Sequence, residues 1–294
     1  MYIELTPPFR FHCFKCETSG VLNSESLRDL GIYNTDLSIA LITANKTYKQ
    51  YSGIQQISFK RKSLLNTPVN SDAAFRSVNY FNSRYKSSFS NEDLTSKFKV
   101  VTDAYEFFKE NSISPPKGQY EFDKAIGFIS ADSSHIIFRD ISGTQEKRYY
   151  NLNLIGDFGI GSISKMYTIS NNIDAMKDEM TLVISEGIFD IIGVYKHFYN
   201  GLSENNMIFA AACGKAYNAV ILNYIHMGFL NLNIIIYSDA DVDISFYEKL
   251  KENSPYLKFS KITIYYNSLY DPETGFGKDY GVPVDEIKLK KVII

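Results

Sequence analysis

Two short acidic motifs carry the strongest chemical signal in this chain. Glu186-Gly187-x-x-Asp190 follows directly on the apolar run Leu182-Val183-Ile184-Ser185. Asp239, Asp241 and Asp243 follow Ile234-Ile235-Ile236-Tyr237-Ser238 at alternate positions, which in extended backbone would share one face. Carboxylates gathered within a few ångströms repel one another, so one must hold a proton or a cation must neutralise them. A hard divalent ion suits this role, because Mg²⁺ takes oxygen ligands, keeps much of its water and bridges carboxylates to phosphate oxygens. Two such ions can activate an attacking hydroxyl and stabilise a leaving oxygen, the recurrent device of phosphoryl transfer. Taken singly, an acidic residue near a helix start is an ordinary partner of the helix dipole, and Asp-x-Asp-x-Asp can be a solvated loop. An EF-hand is disfavoured, since Ile244 stands at the sixth position where glycine is needed and Leu250 at the twelfth where glutamate is needed. Both motifs at strand ends of one sheet favour the functional reading.

The elements that must position these carboxylates follow from the apolar pattern. Runs at Thr181 to Ser185, Met207 to Ala212, Ile234 to Ser238 and Ile262 to Tyr266 alternate with helix-length stretches at Ile188 to Tyr199, Ala216 to Met227 and Ile244 to Glu252. This is the signature of a parallel α/β sheet with crossover helices. In such a sheet the loops at the C-terminal strand edge converge on a crevice where ligands bind, and both acidic motifs fall on that edge. Residues from about 31 to 170 read differently. Helices are expected at Asp72 to Arg84 and Asp103 to Glu110, with a stop at Ser114-Pro115-Pro116-Lys117-Gly118. Strands follow at Ala125 to Ser130, His135 to Asp140 and Lys147 to Leu152, the last two joined by Ile141-Ser142-Gly143-Thr144, which makes an antiparallel meander.

Composition narrows the field. With 294 residues and 45% hydrophobic composition the chain can bury one large or two modest cores, which argues against intrinsic disorder. A formal net charge of −2 supplies no global basic field, so any contact with a polynucleotide must be local. No apolar run approaches the roughly 20 residues of a membrane span, and no charged start followed by an apolar stretch marks a signal peptide. A cytoplasmic protein with no membrane partner is expected. The cysteines, Cys13-x-x-Cys16 and a distant Cys213, suit a reducing compartment rather than a disulfide framework. No Gly-x-x-x-x-Gly-Lys-Ser/Thr loop occurs in the sequence, so it carries no P-loop motor. Gly159-Ile160-Gly161 lacks the third glycine of a dinucleotide site, and Asp157-Phe158-Gly159 has no accompanying His-Arg-Asp loop. His12, His135, His197 and His226 show neither metal spacing nor a nucleophile partner.

Glu186-Gly187-x-x-Asp190, the Gly-centred turn Ala212-Cys213-Gly214-Lys215 and Ser238-Asp239-Ala240-Asp241-Val242-Asp243 together resemble the motifs of the Toprim domain, over about residues 180–285. That domain is shared by DnaG-type primases, topoisomerases, several nucleases and recombination mediators. Other stretches resemble the DnaG-type primases in particular. His12-Cys13-Phe14-Lys15-Cys16 followed by Gly20 is similar to the second half of a zinc ribbon, and Asn79-Tyr80-Phe81-Asn82-Ser83-Arg84 to the helix opening the primase core. Ile136 to Gly143 with Lys147-Arg148-Tyr149-Tyr150-Asn151 resembles that core's basic hairpin, and Gly277-Lys278-Asp279 its third acidic motif.

The resemblance implies a fold and an activity. The fold would be α/β: a partial zinc-ribbon-like segment at 1–30, a mixed α+β primase-core half at 31–175 and a Toprim parallel-sheet domain at 176–294. The activity would be a DNA primase, a nucleotidyltransferase making short RNA primers on single-stranded DNA from ribonucleoside triphosphates, with a separate replicative helicase as partner. Glu186 would act as general acid/base or metal-organising carboxylate beside Asp190, and Asp239 and Asp241, with Asp279, would hold Mg²⁺ or Mn²⁺. Arg84, Arg139, Lys147, Arg148, Lys165, Lys215 and Lys278 are the candidate phosphate contacts, with Tyr149 or Tyr150 as a stacking platform. Among these cations Arg148 and Lys165 lead by resemblance, although they stand further apart than in the family. The sequence departs from the pattern elsewhere too. A structural Zn²⁺ takes four ligands, and no Cys precedes Cys13 to complete a site with Cys16. After Asp279 the second acidic residue is displaced, with Asp285 the nearest substitute. The compact layout suggests a phage or mobile-element protein. A Toprim nuclease, or a Toprim module that binds nucleic acid without catalysis, would carry the same acidic motifs.

Overall fold

The computed structural model describes residues 2–3, 10–12, 19–22, 27, 64–118, 120–131, 133–154, 166–170, 179–201, 206–214, 216–226, 229, 231–254, 257 and 260–294. The chain divides into two compact units, Met1–Arg61 with Leu222–Leu230, and Lys62–Ile221 with Asn231–Ile294. In the first, strands β1 (Tyr2–Ile3), β2 (Arg10–His12) and β3 (Ser19–Val21) pair antiparallel in that order. Leu22 and Leu27 are buried there with Phe11 packed against them. Cys13 and Cys16, between β2 and β3, lie outside the described residues.

The second unit is mixed α/β and contains two sheets. It opens with helix α1 (Asp72–Tyr85), started by Ser71, whose hydroxyl accepts from Ala74 N, and stopped at Lys86 in left-handed backbone. A π-helical turn (Asp93–Lys97) follows, then β4 (Val100–Val101) and α2 (Ala104–Glu110), which Asp103 caps through Tyr105 N and Glu106 N. Strands β5 (Ala125–Ile129), β6 (His135–Asp140) and β7 (Tyr149–Asn153) complete an antiparallel sheet in the order β4-β5-β6-β7. The meander read from the sequence is present, with one correction. Pairing begins at Arg139 with Tyr149, so Lys147 and Arg148 lie in the exposed β6–β7 connection rather than inside a strand.

The second sheet has the order β13-β12-β11-β9-β10-β8. Its middle is parallel: β9 (Glu179–Ser185) lies between β10 (Met207–Ala211) and β11 (Asn231–Tyr237), and β11 pairs with β12 (Ile262–Asn267). Helix α3 (Ile188–Val194), continuing as a π-helical turn (Tyr195–Tyr199), connects β9 to β10. Helices α4 (Tyr217–His226) and α5 (Ile244–Glu252) follow β10 and β11. These are the expected crossovers. The antiparallel edges β8 (Tyr167–Ser170) and β13 (Leu289–Ile293) escaped the sequence reading. Each is short, and β13 carries Lys290 and Lys291, as edge strands that resist further pairing do.

One apolar core joins what the sequence divided near residue 175. Phe81, Tyr85 and Phe89 from the α1 region pack in the same cluster as Phe189, Ile192 and Phe209 from the parallel sheet and its first helix. Among the described residues no helix is long and apolar enough to cross a membrane.

Candidate acidic active site

Strand β9 delivers Glu186 half-buried at its C-terminal end, and Gly187 then turns the chain into α3. The glycine leaves room for the Asp190 carboxylate, which a Cβ there would displace. Asp190, buried in the first turn, accepts from Gly187 N at 3.0 Å, Tyr280 N at 3.2 Å and Gly281 N at 3.0 Å. Both of its oxygens are thus engaged, and the carboxylate clamps the segment after Asp279 onto the start of α3.

Strand β11 delivers Asp239. One oxygen, Oδ1, is buried and has no hydrogen-bond partner among the described residues. The expected extended run of alternating carboxylates does not form, because the backbone turns at residues 240–241. Ala240 N donates to Lys278 O at 2.9 Å, the exposed Asp241 pairs with Lys278 Nζ at 2.7 Å, and Asp243 caps α5 by accepting from Ser245 N at 2.8 Å. Capping stabilises the Asp243 anion and lowers its pKa. It therefore faces away from the role of its neighbours. Asp279, half-buried, accepts from Gly281 N at 3.1 Å. The turn after β10 closes the rim, with Ala212 N donating to Ser185 O at 2.9 Å and Gly214 N to Glu186 O at 3.4 Å.

The electrostatics follow from this crowding. Burial, then the negative fields of Asp190, Glu186, Asp279 and Asp241, pushes the Asp239 carboxyl up to about 8. Burial and Asp279 likewise raise Asp190, against the opposing pull of Arg84 and its backbone donors. Lys278 is raised by its hydrogen bond to Asp241. The acidic residues therefore sit close enough to oppose one another's ionisation. Among the described residues no three acidic, His or Cys side chains converge into a ready-made metal cage. Mg²⁺ commonly takes only one or two protein carboxylates and completes its shell with water and substrate phosphate. Asp239, with its unpaired buried oxygen, fits the first of those positions, and Glu186, Asp241 or Asp279 the second.

No protein-family model and no curated protein sequence matches the chain. Among solved structures it is similar to the crystal structure of the Aquifex aeolicus primase (zinc binding and RNA polymerase domains), with a TM-score of 0.38 and 15% identity over 96% of this chain and 76% of that one. The functional reading rests on the geometry of the acidic rim itself.

The candidate cations divide sharply. Arg84 and Arg139 both approach the Phe189 ring, at 4.6 and 5.3 Å, and Arg139 also lies 4.8 Å from the Tyr149 ring. The Nε of each is buried without a hydrogen-bond partner among the described residues. Lys147 and Arg148 are exposed, Lys278 is spent on Asp241, and Lys165 and Lys215 lie outside the described residues. Of the two proposed stacking tyrosines, Tyr150 packs against Tyr120 and Phe122, whereas Tyr149 is about half exposed, at 51%. Phe189 and the buried Tyr217 were not singled out from the sequence. An aromatic residue beside an acidic motif is indistinguishable from core until its neighbours are known.

Proposed function

We propose that this protein is a DNA primase that joins ribonucleotides on a single-stranded DNA template. The observation carrying the reading is Asp239: a half-buried carboxylate at a parallel strand end, with one oxygen buried and unpaired among the described residues, and acidic side chains from two other segments near enough to raise its pKa. Leaving such an atom unsatisfied costs about 1–3 kcal/mol or more, a penalty that a bound cation would remove. The Toprim-like motif order assigns the same residues to Mg²⁺ binding. When bound, Mg²⁺ or Mn²⁺ would supply charge stabilisation at the phosphoryl oxygens.

The chain's own residues divide the remaining work. Asp239, with Glu186, Asp241 and Asp279, forms the acidic rim, and Asp190 fixes the segment bearing Asp279. Arg84 and Arg139, which form no ion pair among the described residues, are suited to gripping phosphate, and Tyr149 offers an exposed ring to a template base. Opening of duplex DNA would fall to a separate helicase. Zn²⁺ at Cys13 and Cys16 would require ligands from elsewhere.

The test is incubation of the full chain with labelled ribonucleoside triphosphates and random single-stranded DNA, with Mg²⁺ or with a chelator. Short oligoribonucleotides should appear only with the metal. Asp239→Asn and Glu186→Gln should each abolish them while circular dichroism stays unchanged. Shortened DNA instead of new RNA would identify a nuclease, and metal-independent DNA binding alone would identify a noncatalytic module.

A further inference from the structure

The strand edge that carries the carboxylates also carries an open cavity of about 590 Å³. Strand β12 runs on to β13 through turns and one short 3-10 turn (Val284–Glu286), with no α-helix between them. Tyr266 on β12 lies directly across from Lys290 on β13, and Val292, two residues on, shares their face; all three line the cavity. One wall is the turn at 240–244, which includes the rim residue Asp241, and the other is the start of the β12–β13 connection, with Ser268 and Tyr270. Cavity and acidic rim therefore share Asp241. The volume falls in the range of roughly 300–1,000 Å³ that suits small organic ligands, and such ligands enter at the C-terminal edge of parallel strands.

The lining distinguishes what would fit. Nearby tyrosines are used up in packing: Tyr237 stacks on Tyr265 at 5.0 Å, and Tyr217 meets Tyr247 edge-on at 5.5 Å. Tyr266 and Tyr270, both half-buried, meet no aromatic ring among the described residues. Tyr270 is also held in place. The buried Asn267 side chain accepts from Leu269 N at 3.2 Å and Lys288 N at 2.9 Å and donates to Glu286 O at 2.8 Å, while Tyr270 N donates to Asn267 O at 3.3 Å. Phosphate does not suit the cavity itself, because Asp241 and Asp243 on its wall would repel it. Unpartnered ring faces beside carboxylate acceptors suit a flat base on a hydroxyl-bearing sugar. We propose that this cavity receives the base and ribose of the incoming ribonucleotide, the base stacked on Tyr270, while the phosphates lie with the cation at the rim across Asp241. The inference rests on the reading of the rim as a site for a metal-bound triphosphate, and it adds the place of the nucleoside.

Equilibrium dialysis of the full chain in Mg²⁺ compares ATP with inorganic tripolyphosphate, which carries the phosphates and no nucleoside. The wild type should bind ATP more tightly by at least about 5-fold, the lower end of what stacking one base on an aromatic ring contributes. Tyr270→Ala should abolish that preference and leave tripolyphosphate affinity unchanged, and Tyr270→Phe should keep it. Equal affinity of the wild type for the two ligands overturns the proposal and leaves the rim reading standing, as does an undiminished preference in Tyr270→Ala. If Tyr270→Ala loses both ligands, Val292→Trp, which fills the cavity from β13, decides. Loss of the ATP preference there with tripolyphosphate binding retained supports the proposal, and any other result overturns it. Binding of neither ligand by the wild type overturns the rim reading and the proposal together.

Discussion

Asp239 combines burial with four acidic neighbours, and its folded-state pKa rises from 3.8 to about 8. A raised value means that the folded state holds the proton more tightly than the unfolded chain does. The contribution to stability is therefore complete below about pH 4 and disappears as the pH climbs through about 8. In metal-free protein, Tm should fall across that window. Asp239→Asn, which cannot ionise, should flatten the fall, so that the Tm difference between variant and wild type grows with pH. Differential scanning calorimetry in chelator from pH 4 to 8 checks this, and a constant difference would refute the burial argument. Its neighbours behave differently although the sequence presents them alike: Asp243 is a helix cap, Asp241 an ion-pair partner and Asp190 a buried clamp.

At the scale of elements, the rim depends on α3 lying tightly under the segment after Asp279. Gly193 permits that contact, since a Cβ there would run into the Tyr280 carbonyl and come within 3.1 Å of the Tyr85 ring. Tyr85 strengthens the same junction by donating to Phe189 O at 2.7 Å. Alanine is the better helix former by about 0.5–1 kcal/mol, yet overpacking a well-filled site costs about 1–3 kcal/mol. The clash should win, because the obstructing atom is backbone and cannot rotate away. Gly193→Ala is accordingly expected to destabilise the fold by about 1–2 kcal/mol in urea unfolding and to weaken divalent-ion binding by displacing Asp279. Unchanged values for both would show that the segment is free to shift.

At the scale of the whole second unit, both sheets draw on one core. Phe81 is fully buried, with ring contacts to Tyr85, Phe89 and Phe189 at 6.0, 5.5 and 5.8 Å. Phe81→Ala should cost about 3–5 kcal/mol. It should lower the stability of the antiparallel and parallel sheets together, seen as coincident urea transitions by far-ultraviolet circular dichroism and tyrosine fluorescence. Separate transitions would mean that the halves fold independently despite the shared cluster. The same connection brings Arg84 on α1 and Arg139 on β6 against Phe189 on the helix that carries Asp190.

The sequence alone determined what depends on local pattern. Continuous apolar runs marked the buried parallel strands, helix-length amphipathic stretches marked the crossovers, and the strand-end positions of Glu186 and Asp239 were legible because β-strand and helix periods are short-range properties. Only the tertiary structure decided which carboxylate is buried, paired or capping. Burial and electrostatic field are set by segments distant in the chain: Tyr280 and Gly281 reach Asp190 across about 90 residues, and Lys278 reaches Asp241. For the same reason Phe189 was indistinguishable from core in the sequence, although Arg84 and Arg139, each from a distant segment, both approach its ring.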